Sequence, residues 1–272
     1  MIRGLYTAAS GMITQQQRQT ILTNNLANIN TPGYKSYQGT IRAFPEVLLQ
    51  AINQSSGGKT KRIGSIHQGV FVEESVPIFS QGDIIDTGLS NHIAIWDTDL
   101  QVDEETGKKP QIFFTIKDEN DNILYTRSGL FTEDASGQLV TPKGYMLLDD
   151  MDNPIQVKGR EFTIDEKGKI LFSDGEEVRI QLTKVKDPYK LVKQDNGVFK
   201  IDDEEIIDLD FEDNYEEENY RLLQGKLERS NVDPTQTLVE MMTALRIYES
   251  NQKVIQAIDR TLEKAVNEVG RV

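Results

Sequence analysis

The clearest local signal in the sequence is the run Asn24-Asn25-Leu26-Ala27-Asn28-Ile29-Asn30-Thr31-Pro32-Gly33-Tyr34-Lys35. Asn side chains compete with the backbone for hydrogen bonds, so a cluster of them weakens a helix and favours a turn. Pro32 disfavours helical dihedral angles at the residue before it and has no N–H to donate. Because Gly33 tolerates a positive φ, Pro32-Gly33 is expected at the centre of a tight turn. The run therefore predicts the end of a helix and a sharp exit of the chain.

Before this run, the sequence predicts a helix over residues 2–29. Its heptad positions alternate by three and four residues and are Leu5, Ala8, Met12, Gln15, Gln19, Leu22, Leu26 and Ile29. The two glutamines at these positions would hold a lone pair of helices poorly. The opposite face carries Thr7, Ser10, Thr14 and Gln17. Since these side chains are uncharged and mostly small, this face suits close packing against further helices.

A second heptad pattern occupies the C-terminal end. Asp233 is placed to cap a helix, and Pro234 suits the first helical position. The heptad positions that follow are Leu238, Met241, Leu245, Tyr248, Gln252, Ile255, Asp259, Leu262, Val266 and Val269. A helix of about 35 residues would be about 50 Å long, which is too long for a small compact domain. We therefore expect it to pair with the N-terminal heptad.

Between the helices the hydrophobic period changes. From Val70 onward, short runs of β-branched and aromatic residues recur, separated by turn signals such as Ser136-Gly137 and Asp174-Gly175. Before them, residues 44–49 suggest a short helix, and residues 53–59 have the composition of a loop. The predicted fold is α+β: an antiparallel all-β central domain inserted between N- and C-terminal heptad helices that pair as a coiled coil. The predicted segments are 1–35 (N-terminal helix), 36–69 (linker or extended segment), 70–221 (β-rich domain) and 222–272 (C-terminal helix).

The composition excludes several classes of function. The chain has no cysteine, which rules out disulfides, thiolate metal sites and Cys nucleophiles. Its net charge is −14, yet residues 1–63 carry seven bases against one acid, which leaves −20 for the remainder. This acidic excess argues against nucleic-acid binding, because phosphate recognition needs a basic surface. No window approaches the roughly 18 apolar residues of a transmembrane helix, so no membrane insertion is expected.

Catalytic and ligand-binding patterns are missing from the sequence. Its two histidines, His67 and His92, have no nucleophile elbow or metal-ligand spacing beside them. No Gly-rich phosphate loop follows a strand. We therefore expect no catalytic residue, no metal and no cofactor. The N-terminus lacks the pattern of a cleaved secretory signal, which leaves open the cytoplasm or export that reads an uncleaved N-terminus.

Three blocks of sequence resemble the motifs of one family. The first joins residues 5–12 to the run 24–35, the second is 125–131 with 137–140 and 144–145, and the third is 227–234 with 245–249 and 253–255. They resemble the axial proteins of the bacterial flagellar rod and hook, most closely a distal-rod type of basal-body rod protein. One departure is His92, which stands where the family usually has an Asp, and the Gly-rich turn that usually follows is absent.

The resemblance implies a structural subunit and not an enzyme. Such subunits are exported unfolded by the flagellar type III apparatus and self-assemble into a hollow helical rod in the basal body, outside the cytoplasm. Their partners are further copies and other axial proteins of the proximal rod and hook. The terminal helices would form the inner tube, ordering on assembly, with the β domain facing outward. The expected assembly interface comprises Leu5, Met12, Leu22, Asn25, Leu26, Asn28, Leu238, Met241, Leu245, Tyr248, Ile255 and Leu262.

Other readings of the same sequence remain open. Phe44 and Leu48 resemble the Phe-x-x-x-apolar pattern that exported subunits present to the export gate, although this pattern alone is weak and a buried helical turn explains them better. Within the family, the chain could be a hook or proximal-rod subunit. Outside it, a cell-wall hydrolase built on the β domain or a coiled-coil adaptor are alternatives, and His92 is the best residue of the hydrolase alternative.

Overall fold

The chain folds into two compact units in the computed structural model, which describes residues 2–52, 60–97, 102, 107–195, 197–201, 206–208 and 220–269. Unit 1 consists of Met1–Ala27, Tyr37–Val76 and Asp233–Val272, and unit 2 consists of Asn28–Ser36 and Pro77–Val232. The backbone therefore passes four times between the units. No helix in the described part of the chain is both long and apolar enough to cross a membrane.

Two long helices belong to unit 1. Helix α1 (Ile2–Ala27) ends just before the predicted turn, and helix α2 (Pro234–Lys264) continues into a short π-helical segment, Ala265–Val269. The carboxylate of Asp233 accepts hydrogen bonds from the backbone N–H groups of Thr235 and Gln236 at 2.8 and 3.2 Å. The predicted cap and the predicted proline at the first helical position are thus confirmed.

The two helices pack against each other in antiparallel directions. A Cβ built on Gly4 would lie 3.4 Å from Ile258 Cδ1, whereas further along α1 the guanidinium of Arg18 donates to Glu240 at 3.1 Å. The predicted contact between the terminal helices is therefore present. Its description as a coiled coil remains a prediction.

The face of α2 that is covered differs from the predicted heptad. Its covered stripe consists of the buried and half-buried positions Thr237, Met241, Ala244, Tyr248, Asn251, Ile255, Ile258 and Leu262 and continues to Ala265, with Glu240 half-buried beside it. The predicted positions Leu238 and Leu245 are 45% and 40% exposed. Both stripes alternate by three and four residues, so periodicity does not distinguish them. The observed stripe presents small residues such as Ala244, which allow two helices to approach closely.

Unit 1 also contains four strands that form two two-stranded sheets, one of which packs on α1. Its strands are β1 (Tyr37–Ala43), β2 (Val47–Ile52), β3 (Thr60–Ile66) and β4 (Val70–Pro77). β1 pairs with β4, and β2 pairs with β3 in antiparallel directions. The short helix expected at residues 44–49 is wrong, because Val47–Ile52 pairs with β3 as a strand. The Thr14 hydroxyl donates to Val70 O at 3.0 Å, so this small uncharged face of α1 packs against a strand and not a helix.

Unit 2 contains the remaining described strands and a short 3₁₀ helix, Pro188–Lys190. The strands are β5 (Ile84–Asp86), β6 (Ile93–Asp97), β7 (Gln111–Lys117), β8 (Ile123–Thr126), β9 (Thr132–Glu133), β10 (Leu139–Val140), β11 (Met146–Leu147), β12 (Phe162–Ile164), β13 (Lys169–Phe172), β14 (Glu177–Arg179), β15 (Leu182–Val185), β16 (Val192–Asp195), β17 (Val198–Lys200), β18 (Ile206–Asp208), β19 (Tyr220–Gln224) and β20 (Lys226–Glu228).

Antiparallel pairing organises these strands as predicted. Among the described residues, nine strands form one sheet in the order β16-β17-β8-β7-β11-β10-β9, with β15 pairing with both β7 and β18. A second sheet has the order β12-β13-β14, and two further pairs are β6–β19 and β5–β20. The observed architecture is therefore α+β with antiparallel sheets.

Strand β7 lies at the centre of unit 2 and is buried on both faces. Because side chains alternate along a strand, Ile112, Phe114 and Ile116 point into one apolar cluster. Phe113 points to the other side, where its ring meets Phe199 at 5.8 Å between centroids. Burial on both faces explains why four of residues 112–116 are apolar, with Thr115 the exception, instead of alternating with polar residues.

Candidate functional site

Four charged side chains from distant parts of the sequence meet inside unit 2. Lys35 Nζ donates to Glu228 Oε1 at 2.7 Å, and Arg127 Nε donates to Glu228 Oε2 at 2.8 Å. Arg127 Nη2 donates to Asp97 Oδ2 at 2.6 Å. These side chains are at most 5% exposed. We call Lys35, Asp97, Arg127 and Glu228 the ion cluster.

Backbone groups complete most of the hydrogen bonds of the ion cluster. Lys35 Nζ also donates to Ser80 O at 2.9 Å, and Arg127 Nη1 donates to Ile112 O at 2.6 Å. The N–H of Gly82 donates to Glu228 Oε1 at 3.0 Å. Within the described part of the chain, Asp97 Oδ1 has no hydrogen-bond partner. The other three members are held from several directions, as buried charges require.

The protonation of the ion cluster follows from its burial and its mutual charges. Burial alone would raise the pKa of Glu228, but the charges of Arg127 and Lys35 outweigh it and hold that pKa below its ordinary value of 4.5. Burial opposes the charge of Arg127, yet Glu228 and Asp97 raise its pKa overall. Burial lowers the pKa of Lys35, with Glu228 opposing the shift. Glu228 is therefore ionised at neutral pH and lies between two cations.

The predicted Pro-Gly turn carries Lys35 into this site. Gly33 has φ 67°, and Tyr34 N donates back to Thr31 O at 3.3 Å, which confirms a tight turn centred on Pro32-Gly33. The N–H of Gly33 then donates to Glu228 O at 2.8 Å. A Cβ on Gly33 would lie 2.5 Å from Ser128 N, so only glycine allows the turn to approach this backbone.

Two asparagines fasten the segments on either side of this turn. Asn25 Nδ2 donates to Tyr37 O at 2.8 Å, and Tyr37 N donates to Asn25 Oδ1 at 2.9 Å. Asn231 Oδ1 accepts from Ser36 N at 2.7 Å, and its Nδ2 donates to Ile78 O at 2.7 Å. The amide of Asn25 thus bonds within its own chain, and a role in contacting neighbouring subunits, which the sequence suggested, remains a prediction.

The predicted interface residues occupy different environments. Leu22, Asn25 and Asn28 are buried; Leu5, Met12, Leu26, Met241, Tyr248, Ile255 and Leu262 are half-buried; Leu238 and Leu245 are exposed. Most of them therefore serve contacts within this chain. Phe44, of the proposed export pattern, is 42% exposed with its ring 5.1 Å from that of Phe71, and the side chain of Leu48 lies outside the described residues.

The helices nevertheless keep an exposed surface of unusual chemistry, which we call the helical face. On α1 it consists of Tyr6, Thr7, Ile13, Gln16, Gln17, Thr20, Thr23, Asn24 and Ala27, and on α2 of Leu238, Val239, Met242 and Leu245. From Gly4 to Ala27 the sequence of α1 has one charge, Arg18, which is paired with Glu240. An exposed surface that lacks charge and contains an apolar stripe is typical of a protein interaction site.

The ion cluster was not foreseen from the sequence, although three of its four members lie in the three motif blocks. Lys35 ends the first block, Arg127 lies in the second and Glu228 in the third. Lys35 and Arg127 are each flanked by uncharged residues, which is the one local sign of burial. In the part of the chain that the structure describes, no three His, Asp or Glu side chains are grouped as a metal ion would need. The contacts of the cluster hold segments of the chain together.

Comparison with known proteins gives the same three blocks. Three family models match: "Flagella basal body rod protein" at residues 5–35, "Flagellar hook protein FlgE/F/G D1 domain" at 111–172 and "Flagellar basal body rod FlgEFG protein C-terminal" at 223–268. Each matched segment supplies one charged member of the ion cluster: Lys35, Arg127 and Glu228.

Relatives match over the whole chain. The flagellar hook-basal body complex protein FlhO of Bacillus subtilis is 38% identical over 274 residues, covering all of both chains. The flagellar basal-body rod protein FlgG of Borreliella burgdorferi is 31% identical over 282 residues, covering 98% of both. FlgG of Bacillus subtilis is 29% identical over 290 residues, covering 98% of this chain and 99% of the relative. The chain therefore belongs to the flagellar basal-body rod protein family, whose members are structural subunits.

Proposed function

We propose that this protein self-assembles through its helical face into a hollow helical rod of the distal-rod type. The observation that carries the proposal is the chemistry of that face. Leu238, Val239, Met242 and Leu245 leave an apolar stripe on α2, and Val239 and Met242 are 58% and 55% exposed. The exposed side of α1 is almost free of charge. Covering such surfaces with a second copy would remove apolar area from water at about 25 cal/mol per Å².

The α1 and α2 parts of the helical face differ in chemistry. Two unlike surfaces favour an open assembly, whereas a single self-complementary surface favours a closed dimer. The exposed side of α1 is mainly polar and uncharged, whereas that of α2 carries the apolar stripe. When two unlike surfaces join copies head to tail without closing a ring, the product is a helical filament. In the proposed rod the helices contact several neighbours, and the partners at the two ends are other axial proteins of the proximal rod and hook.

The proposal includes export through the flagellar type III apparatus and a final location outside the cytoplasm. A chain that is exported unfolded must refold without disulfide chemistry, which agrees with the absence of cysteine from the sequence. Phe44 and Leu48 would belong to the segment that the export gate recognises.

A matched pair of substitutions tests the assembly surface. Met242 lies on the helical face and is 55% exposed, whereas Met151 lies in a turn of unit 2 and is 76% exposed. We expect Met242→Glu to abolish polymerisation, because a charge would be buried in each contact between copies. Met151→Glu should polymerise like the wild type. Sedimentation and negative-stain electron microscopy of the purified chains measure the difference, and circular dichroism verifies that both variants fold. Equal polymerisation of both variants would exclude the helical face as the contact.

A hook or proximal-rod position is the second candidate, because FlhO is named a hook-basal body complex protein and one matching model is named for a hook protein. Gold labelling of a tagged chain in isolated basal bodies separates the positions. Label along the distal rod supports the proposal, and label confined to the hook or to the proximal rod contradicts it.

A further inference from the structure

The ion cluster closes a long loop of the chain. Lys35 follows the last turn of α1, and Glu228 lies just before α2 begins, yet their side chains meet at 2.7 Å across 193 positions of sequence. Both belong to unit 2, whereas the helices that they flank belong to unit 1. Folding of unit 2 therefore brings together the residues that follow α1 and those that precede α2.

Closing this loop removes an obstacle to helix pairing. In the unfolded chain, the facing ends of the two helices are separated by more than 200 residues, and bringing them together costs entropy that grows with the logarithm of loop length. Isolated helices of this kind are marginal in water because most helical stability comes from tertiary packing. Once Lys35 and Glu228 have met, the remaining tether between Ala27 and Asp233 is short. We propose that the ion cluster is a latch that makes pairing of α1 with α2 conditional on the folding of unit 2.

The helix pair is weakly held by its own contacts, which is why the latch would matter. The ion pair Arg18–Glu240 has both side chains about one-third exposed, at 34% and 36%, and exposed pairs contribute little. On α1, Gln15 Oε1 is buried with no hydrogen-bond partner among the described residues, which costs stability in unit 1. On α2, Thr237 and Asn251 occupy positions that an apolar seam would fill. The pairing thus depends on how closely the helix ends are tethered.

Glu228 is the member on which the latch depends. Its carboxylate bonds Lys35 and Gly82 through Oε1 and Arg127 through Oε2, so one side chain joins three segments of the chain. Its backbone carbonyl accepts from Gly33 N at 2.8 Å as well. Removing the charge of Glu228 leaves two buried cations without their shared partner. The segments before α2 and after α1 are then released together.

Two probes in the full chain test the coupling. The sequence has no cysteine and one tryptophan. Thr20→Cys on α1 and Thr243→Cys on α2 place spin labels at exposed positions of the helices, and the distance between them reports pairing. Trp96, in strand β6, reports unit 2 through its fluorescence. We expect the paired distance to be lost at the same urea concentration as the native Trp96 signal, or at a lower one.

A matched variant separates the latch from a general loss of charge. Glu228→Gln should shift both transitions to lower urea together. Glu176→Gln changes an exposed glutamate of the same unit, which pairs with Arg160 at 2.8 Å, and should shift neither. If Glu228→Gln does not fold, the latch still predicts that the labels lie at broad distances in that chain. A narrow helix distance that persists after unit 2 has unfolded, in the wild type or in Glu228→Gln, would overturn the proposal.

Discussion

At the scale of single residues, the chain buries charges that it could have left in water. Taking a charged pair out of water is costly, and removing one partner of a buried pair typically costs about 3–5 kcal/mol. The sequence contains 44 acidic and 30 basic residues, and nothing local singles out Glu228 among them. Its partners lie 193 and 101 positions away, so only the fold brings them together. By contrast, the cap at Asp233 depends on the next three residues and could be predicted from sequence.

His92 gives unit 2 a dependence on pH. Its side chain is almost buried, and Nδ1 lies 2.8 Å from the hydroxyl of Thr87, which itself donates to Gly225 O at 3.0 Å. Because the one hydroxyl proton is used, the hydrogen-bond network assigns a proton to Nδ1. Burial lowers the pKa of His92 below its ordinary value of 6.5.

We expect acid to destabilise unit 2 through this residue. The folded state binds the proton of His92 less readily than the unfolded state, so the stability is complete above pH 6.5 and declines as the pH falls below it. His92→Asn, whose amide can still donate to Thr87, should cost about 1 kcal/mol at pH 7.5 but lose less stability between pH 7.5 and pH 5 than the wild type.

Urea unfolding followed by Trp96 fluorescence at pH 7.5 and pH 5 gives the free energy of unfolding at each pH. The slope of this free energy against pH is then compared between His92→Asn and the wild type. The control is His67→Asn, because His67 is exposed and lies in unit 1. It should keep the slope of the wild type. A slope in His92→Asn as steep as in the wild type would exclude His92 as the acid-sensitive group.

At the scale of elements, strands with dense apolar runs could be predicted from the sequence. Strands without such runs could not. Strands β7 and β8 carry five and three β-branched or aromatic residues, and dense runs of this kind indicate a strand. Strand β1, with Gln38, Gly39 and Thr40, has no such run, and its conformation depends on pairing with β4 and packing on α1. The heptads predicted both helices but not the covered stripe of α2, because positions such as Met241 and Ile255 belong to the predicted and the observed stripes alike.

The two glycines of α1 that face α2 are expected to respond differently to alanine. In a helix, Gly costs about 1 kcal/mol relative to Ala. A Cβ at Gly4 would make an ordinary contact 3.4 Å from Ile258 Cδ1, so Gly4→Ala should stabilise the chain by up to about 1 kcal/mol. A Cβ at Gly11 would lie 2.7 Å from Asn251 Nδ2, and that amide must move away. Gly11→Ala should therefore gain little or destabilise.

Thermal unfolding followed by the helical circular dichroism signal compares the two variants. The double variant Gly11→Ala, Asn251→Ala removes the clashing amide and should recover the stabilisation that Gly4→Ala shows. Equal stabilisation by both single glycine variants would mean that the helices do not approach closely at Gly11.

At the scale of the whole molecule, the two units are interleaved in sequence. Asn28–Ser36 follows the first helix in the sequence but belongs to unit 2. The motif blocks identify the family from sequence alone, since the first and the third are highly specific. Their shared structural role could not be foreseen, because Lys35, Arg127 and Glu228 meet only after the β unit has folded. The motifs at the chain ends are thus part of the folded β unit as well as of the helices.

Two truncations that differ by eight residues test this interleaving. Both end at Val232; one begins at Asn28 and keeps all of unit 2, and the other begins at Ser36 and lacks Lys35 and the Pro-Gly turn. Without Lys35, Glu228 retains Arg127 but loses one of its two buried cations, and Gly33 no longer bonds Glu228 O. We expect the shorter chain to be less stable by about 3–5 kcal/mol, measured by urea unfolding of Trp96. The longer chain should fold cooperatively.

Replacing the lysine by an uncharged residue, Lys35→Met in the longer chain, should reproduce most of this loss of stability. The loss arises from the buried carboxylate of Glu228 that is left with one cation, and not from the length of the deleted segment. If both truncated chains are equally stable, residues 28–35 contribute nothing to unit 2, and the three motif blocks must be explained by contacts outside it.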